Sequence, residues 1–420
     1  FGTVRPDAGT VSASGNVGLV HQHFELVGRL RVWQNVLLGR EPRRGWRIDV
    51  RDARERVLEL AQNNALTIDP DAFVDDLPVG VQQRVELLRE LERNPAVLLL
   101  DEPTAALAPA EIAAFFATVA QLARRGTAVL IITHKLQEVL AYTSRVSVMR
   151  HGKIIARFET AKTSADEIAR AMVGGDLPAL AKAAPSRGGV ALRVQNLSAG
   201  AGSTAAHDLS FEVRAGEIVG IAGVEGNGQT ALGDALACMI PYEGSIERSG
   251  RAGIIPQDRQ REALVLDWSI VENVVLGRQH LAANRKGMLL DGAAARANAN
   301  AVIERLDVRA ASPDVAVKTL SGGNQQKVVV GRALLDEPPI ILAYQPTRGI
   351  DVGAAALVQS RLIEARNAGA AIVLVSFELD ELLALSDRIL VFYRGTIAGT
   401  FARGEFDRGK IGELMAGSKA

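Results

Sequence analysis

The chain contains one pattern twice. Leu77-Pro78-Val79-Gly80-Val81-Gln82-Gln83 returns as Leu320-Ser321-Gly322-Gly323-Asn324-Gln325-Gln326, an offset of 243. Asp101-Glu102-Pro103-Thr104 returns as Tyr344-Gln345-Pro346-Thr347 at the same offset of 243. So does Arg145-Val146-Ser147-Val148-Met149-Arg150-His151-Gly152-Lys153-Ile154, as Arg388-Ile389-Leu390-Val391-Phe392-Tyr393-Arg394-Gly395-Thr396-Ile397. Near the start the offset shortens to 235, where Pro6-Asp7-Ala8-Gly9-Thr10-Val11 matches Pro241-Tyr242-Glu243-Gly244-Ser245-Ile246. Self-similarity in a fixed register decides architecture before any local propensity does. The 420 residues are two copies of one domain.

Composition places the join. Gly174-Gly175-Asp176-Leu177-Pro178, an Ala-rich stretch and Pro185-Ser186-Arg187-Gly188-Gly189 form a small-residue segment with turn breakers. The first domain is read as 1–178, the linker as 179–191 and the second domain as 192–420. Phe1 aligns with Leu236, so the 44-residue opening of the second copy, Leu192–Ala235, has no counterpart in the first. A start at Phe1 instead of Met reads as a fragment. Hydrophobic residues at 48% and charged residues at 23% supply buried cores and argue against disorder. Lys plus Arg equals Asp plus Glu at 48 each, which argues against nucleic-acid binding through bulk basicity. The single cysteine, Cys238, excludes a disulfide scaffold or a zinc ribbon and reads as a small buried residue. No run approaches the ~18 apolar residues of a membrane span, and no secretion signal opens the chain. The composition reads as that of a soluble intracellular protein.

Short apolar runs alternate with helical patterns in each copy. Ala96–Leu100, Thr127–Ile132, Ile340–Ala343 and Ala371–Val375 read as buried strands, and Gln82–Arg93 as an amphipathic helix stopped at Pro95. Such alternation implies a mainly parallel α/β sheet, with functional groups just past the C-terminal ends of its strands. Glu217–Ala222 leads as a strand into Gly223-Val224-Glu225-Gly226-Asn227-Gly228-Gln229-Thr230, a phosphate loop with Gln229 where Lys is usual. Its glycines turn backbone N–H groups inward on an anion, and Thr230 offers a hydroxyl to Mg²⁺. Without Lys, charge-assisted hydrogen bonds of roughly 1.5–3 kcal/mol each are lost. Taken alone, a Gly-rich turn of this kind also fits simple tight packing.

Leu98–Leu100 carries Asp101 and Glu102 at a strand end. One carboxylate can hold Mg²⁺ and the next can orient or deprotonate an attacking water. The alternative for any Asp-Glu pair is a solvated acidic turn. His134, after the strand Val129–Ile132, is placed to contact a γ-phosphate, although a lone His is more often structural.

The order Gln22, Leu77–Gln83, Asp101-Glu102, His134 resembles the Q-loop, signature, Walker B and H-loop of an ABC ATPase, and Leu320–Gln326 is a near-consensus signature. Val20-His21-Gln22-His23-Phe24, Gly223–Thr230 and Gln345-Pro346-Thr347-Arg348-Gly349 resemble a narrower group, the tandem ATP-binding subunits of bacterial simple-sugar and nucleoside importers, with a lean toward the nucleoside branch. The resemblance implies an α/β fold of two tandem ABC-type P-loop NTPase domains. Each would have a mainly parallel sheet core and a helical signature subdomain, the first truncated at its N-terminus. It implies ATP and Mg²⁺, two integral membrane permease subunits, an extracytoplasmic substrate-binding protein, and a peripheral place on the cytoplasmic face of the bacterial inner membrane.

It further implies that ATP lies between one domain's phosphate loop and the other's signature. One composite site would then combine Gln22, Asp101, Glu102 and His134 with Ser321, Gly322, Gly323 and Asp351. Glu102 and His134 would be catalytic, with Asp101 and Gln22 at the metal. The other would combine Gly223, Gly226, Asn227, Gly228, Gln229, Thr230, Gln257, Tyr344, Gln345 and Phe377 with Pro78, Gly80, Val81 and Ala108. Every departure from the family pattern falls in this second set. Random decay would scatter, so the pattern implies one hydrolytic site and one at most nucleotide-holding. The Tyr344 ring is expected to crowd a metal there. The first site's phosphate loop belongs to the 44-residue segment missing from the first copy. The chain as given is therefore expected neither to hydrolyse ATP nor to assemble stably. A soluble tandem ABC protein acting on ribosomes or DNA is the competing class. The short Ala/Gly-rich linker argues against the ribosomal group and the single Cys against the DNA-repair group. An inactive, decayed product is the third reading.

Overall fold

The computed structural model describes residues 6–21, 25–104, 107, 109–150, 152–174, 188–415 and 417. The chain divides into two compact units, Phe1–Ile168 and Ala169–Ala420. The helix Ala165–Val173 runs across that division. Residues 179–187 of the expected linker lie outside the described residues, and a strand opens at Val190, two residues ahead of the expected start of the second domain.

The first unit is built on a three-stranded parallel sheet in the order Val17–Val20, Val97–Asp101, Ala128–Ile132. Leu98 and Leu100 are fully buried, packing with Phe115, Phe116, Val119 and Leu122 of the helix Pro109–Arg124. The second unit holds a six-stranded sheet in the order Ala252–Ile255, Ile340–Tyr344, Ala371–Val375, Ile218–Ala222, Arg388–Tyr393, Thr396–Ala402. Its first five strands are parallel and the last is antiparallel. Three of its inner strands are buried at every residue, because apolar layers cover both faces. One layer includes the helices Gly322–Leu334 and Val352–Asn367. The other includes the helix Gln229–Leu236 and an antiparallel sheet of Tyr242–Arg248, Val190–Ala199 and Ala206–Arg214. In the first unit Leu130 and Ile132 are 56% and 53% exposed, whereas their repeat partners Val373 and Val375 are buried in that second layer.

Strands and helix fall where the alternation of apolar runs put them. The helix expected at Gln82–Arg93 spans Val79–Glu92, because Pro78 can precede a first turn but cannot sit inside one. Between sheet and signature, both units repeat one buried polar clamp. Asn273 is fully buried; its amide donates to the carbonyls of Val265 (3.0 Å), Trp268 (3.3 Å) and Ser269 (3.0 Å), and its oxygen accepts from the Val265 N–H at 2.9 Å. Asn35 does the same to Val27, Leu30 and Arg31. A buried amide satisfied by a loop backbone fixes that loop. Asn273→Ala strands those loop groups and is expected to cost roughly 3 kcal/mol, read as a lowered denaturation midpoint.

No helix among the described residues is long and apolar enough to cross a membrane.

Candidate nucleotide site

The acidic pair of the first unit ends its central strand. Asp101 is the last strand residue, in register with Ile132. Glu102 then turns into the left-handed region at φ 45°, with its N–H held by the Ile132 carbonyl at 2.9 Å. A non-glycine residue there carries strain of order 1 kcal/mol, which persists only where surroundings impose it. The turn takes the Glu102 side chain out of strand alternation and sets its Oε1 3.1 Å from Nδ1 of His134. Both side chains are partly open, at 24% and 36%. A carboxylate oriented by an imidazole and open to solvent can accept a proton from an attacking water.

The loop after this pair is anchored from beneath. Thr104 Oγ1 donates to Glu138 at 2.8 Å, and Lys135 Nζ donates to the Thr104 carbonyl at 3.2 Å. The second unit repeats the anchor: Thr347 donates to Glu381 at 2.9 Å, with Gln359 at 3.3 Å. Burial pushes the Glu381 carboxyl up despite these donors. Neither glutamate belongs to a motif with a chemical signature, although both sit in the repeat register at the offset of 243.

The second unit keeps the same backbone and loses the chemistry. Gln345 sits at φ 46° with its N–H on the Val375 carbonyl at 2.8 Å, matching Glu102. Its side chain is buried with Nε2 lacking a hydrogen-bond partner among the described residues, and the His134 position carries Phe377. Tyr344 packs down into the core, its outer ring edge against Gly233 in the helix Gln229–Leu236. Burial, with the charge of Asp234 adding, raises its phenol far above the usual value, and the hydroxyl has no hydrogen-bond partner among the described residues. A buried hydroxyl left unmade costs about 1–3 kcal/mol. Tyr344→Phe is therefore expected to raise the thermal midpoint by roughly 2–4 °C, measured by calorimetry; a lowered midpoint would show that the hydroxyl is satisfied.

The phosphate loop follows the strand Ile218–Ala222 and leads into the helix Gln229–Leu236. Gly226 and Gly228 take φ of 90° and 95°, values a side chain would resist. Gln229 is 2% exposed and folds back, Nε2 donating to the Val224 carbonyl at 3.1 Å. Its amide thus closes the loop on itself, where a Lys would extend to a phosphate. Asn227 is tied by its Oδ1 to the Arg394 N–H at 2.8 Å, while Thr230 is exposed. Gln257 lies two residues past the strand Ala252–Ile255 and is half-buried.

Ser321 caps the helix Gly322–Leu334, accepting from the Asn324 N–H, and Asp351 caps the helix Val352–Asn367, accepting from the Ala354 N–H at 2.8 Å. These caps meet: a Cβ on Gly323 would stand 3.5 Å from Asp351 Oδ2. Pro78, in the Ser321 position of the first unit, makes no side-chain cap. The structure thus gathers Asp101, Glu102 and His134 in one unit, and Ser321, Gly322, Gly323 and Asp351 in the other. Gln22 and Ala108 lie outside the described residues.

Mg²⁺ fits the two ends differently. Asp101 supplies a hard carboxylate oxygen at an open strand end. Around Gly223–Thr230 the positions matching Asp101 and Glu102 carry a phenol turned into the core and a neutral amide, which leaves the exposed Thr230 hydroxyl without a carboxylate from the strand end, a donor set that fits Mg²⁺ poorly.

A parallel sheet with a Gly-rich loop between strand and helix, a strand-end acidic pair and a capped Ser-Gly-Gly turn defines a P-loop nucleotide-binding fold of the ATP-binding-cassette type. The family profile described as ABC transporter matches residues 2–105 and 206–348, so the chain belongs to that family. It is 38% identical over 98% of its length, and 85% of the relative's, to the "Nucleoside import ATP-binding protein NupA" of Lactococcus lactis subsp. cremoris. It is 37% identical over its whole length, and 88% of the relative's, to the "Guanosine import ATP-binding protein NupO" of Bacillus subtilis. It is 38% identical over 96% of its length, and 82% of the relative's, to the "Ribose import ATP-binding protein RbsA 1" of Streptomyces avermitilis. A solved structure of an archaeal ribosome recycling factor, aABCE1, in complex with the ribosomal stalk protein aP1 aligns with a TM-score of 0.64 over 91% of this chain and 72% of that one. Its 19% identity shows the shared fold alone.

Proposed function

We propose that this chain is the ATP-hydrolysing subunit of an ABC importer for nucleosides or simple sugars, with one competent and one degenerate composite ATP site. The competent site consists of Gln22, Asp101, Glu102 and His134, completed by Ser321, Gly322, Gly323 and Asp351 of the second unit. Asp101 and Gln22 would hold Mg²⁺, which neutralises phosphate charge when bound. Glu102 takes the proton of the attacking water, and His134 holds the Glu102 carboxylate and faces the γ-phosphate. Ser321 and the N–H groups of Gly322 and Gly323 bind the phosphate from the opposite side. The degenerate site, at Gly223–Thr230 with Gln257, at most holds nucleotide and does not cleave it.

The observation that carries this reading is one backbone turn with two outcomes. Glu102 meets His134 at 3.1 Å, while Gln345, at the same φ, is buried and the His134 position carries Phe377. Uptake powered by the competent site requires two membrane permeases and an extracytoplasmic binding protein, with this chain docked on the cytoplasmic face of the membrane. Relatives named for nucleoside, guanosine and ribose import support the substrate class. The test is reconstitution with the neighbouring permeases in proteoliposomes, loaded with ATP and offered labelled guanosine and labelled ribose. ATP-dependent uptake of one of them is the expected result. ATP turnover stimulated by ribosomes or DNA, without uptake, would favour the soluble class instead.

A further inference from the structure

Past Gln257 the chain makes one π-helical turn, Arg259–Ala263, and that turn is bolted to two other motifs of the second unit. Asp258 starts it, its Oδ1 accepting from the N–H groups of Gln260 (2.9 Å) and Arg261 (3.1 Å). This fixes the direction in which Arg259 leaves the backbone. Its Nη1 donates to the Arg348 carbonyl at 3.0 Å and its Nη2 lies 3.5 Å from the Gly349 carbonyl. Those carbonyls belong to the loop between the strand Ile340–Tyr344 and Asp351. Gly349 is left-handed at φ 64°, which presents two successive carbonyls to one guanidinium. The same Nη2 lies against the start of the signature helix: a Cβ on Gly322 would stand 2.6 Å from it. Gln260, on the same turn, donates to Gln325 of that helix at 3.2 Å.

The strut belongs to one copy. Between Gln22 and Val27 the first copy is three residues shorter than the second is between Gln257 and Val265, and its His23-Phe24-Glu25-Leu26 carries no arginine, while the offset of 243 sets Val79 opposite Gly322 and Ala106 opposite Gly349. The guanidinium, the space for it and the left-handed glycine are all replaced together. By contrast, Gln326, whose Nε2 donates to the Pro346 carbonyl at 2.8 Å, keeps its counterpart Gln83 in the first copy. A general need of the fold would be met twice. The copy that carries the strut is also the one whose Ser321, Gly322, Gly323 and Asp351 complete the competent site in the reading above, on which this inference rests.

We propose that Arg259 is a positioning residue for ATP hydrolysis in the first unit's site: it locks the Gln257 segment, the signature turn Ser321–Gly323 and the loop leading to Asp351 into one rigid body that closes on the nucleotide. The fork matters as well as the charge. A Lys point charge reaches one carbonyl, whereas a planar guanidinium spans both. In a full-length version of the protein the nucleotide is first held by the phosphate loop of the first domain, so loosening the signature acts on turnover more than on affinity.

The test is ATP turnover of the importer assembled with a full-length version of the protein, carrying Arg259→Ala, Arg259→Lys and, as reference, Ser321→Ala. Arg259→Ala is expected to lower kcat at least 10-fold while the ATP KM stays within about 3-fold, with Arg259→Lys intermediate. Added guanidinium ion at tens of millimolar should restore part of the Arg259→Ala turnover and none of that of Ser321→Ala. Ser321→Ala impaired with Arg259→Ala unchanged overturns the strut alone. Loss of assembly or thermal stability in Arg259→Ala without guanidinium rescue also overturns it, since the residue would then serve folding only. Ser321→Ala without effect overturns the composite-site reading and this inference with it.

Discussion

In a full-length version of the protein, Glu102→Gln is expected to lower ATP turnover by about 10²–10⁴-fold while leaving ATP affinity within a few-fold of the parent. Gln keeps the shape and the left-handed turn, and its amide can still meet Nδ1 of His134, but it cannot accept a proton. The second unit shows that the turn tolerates the substitution. Gln345 occupies the same φ, with the same N–H bond to the neighbouring strand end. The variant should therefore fold, removing a folding defect as an explanation for lost turnover. Glu138, also a carboxylate of the first unit, is bonded to Thr104 and buried, so it is not placed to substitute. Phosphate release and labelled-ATP binding, measured on the same assembled importer, separate the two effects. Residual turnover above a few percent would remove Glu102 from its role as base.

The repeat made most of the fold legible. Strands such as Ile340–Tyr344 and Ala371–Val375 are continuous apolar runs because both faces are covered, and such runs stand out in sequence. The phosphate loop and the strand-end acids were legible for a similar reason, since their chemistry demands particular residues at fixed spacing. Side-chain direction was harder to read. A tyrosine in place of an aspartate reads as bulk beside the nucleotide, whereas Tyr344 follows its strand's alternation and packs against Gly233, where no Cβ blocks it. Nor does sequence show that Gln229 bonds its own loop, or that Arg259 bridges segments some 60 to 90 positions away, at Gly322 and at Arg348–Gly349. Contacts of that kind depend on which loops the sheet brings to one edge, and no local pattern encodes them.

The pairing of the two units has its own expected result. Ser321→Ala should lower turnover by roughly 10- to 150-fold, the equivalent of one hydrogen bond to a charged group at about 1.5–3 kcal/mol. Changing Pro78 to Ala should leave turnover within about 2-fold, because Pro78 offers no hydroxyl and caps nothing. Ser321 also caps its own helix, accepting from the Asn324 N–H, and losing a cap costs about 1 kcal/mol of stability. Two further substitutions separate these roles. Ser321→Thr keeps both hydroxyl and cap and should retain most turnover. Ser321→Asp keeps the cap but sets a negative charge where a phosphate must approach, so it should fold normally and turn over less than Ser321→Ala. If stability and turnover instead fall together across the series, Ser321 serves its helix alone. Equal damage from the Ser321 and Pro78 variants would mean that hydrolysis does not depend on the second unit's signature, and the assignment of Glu102 and Ser321 to one site would have to be abandoned.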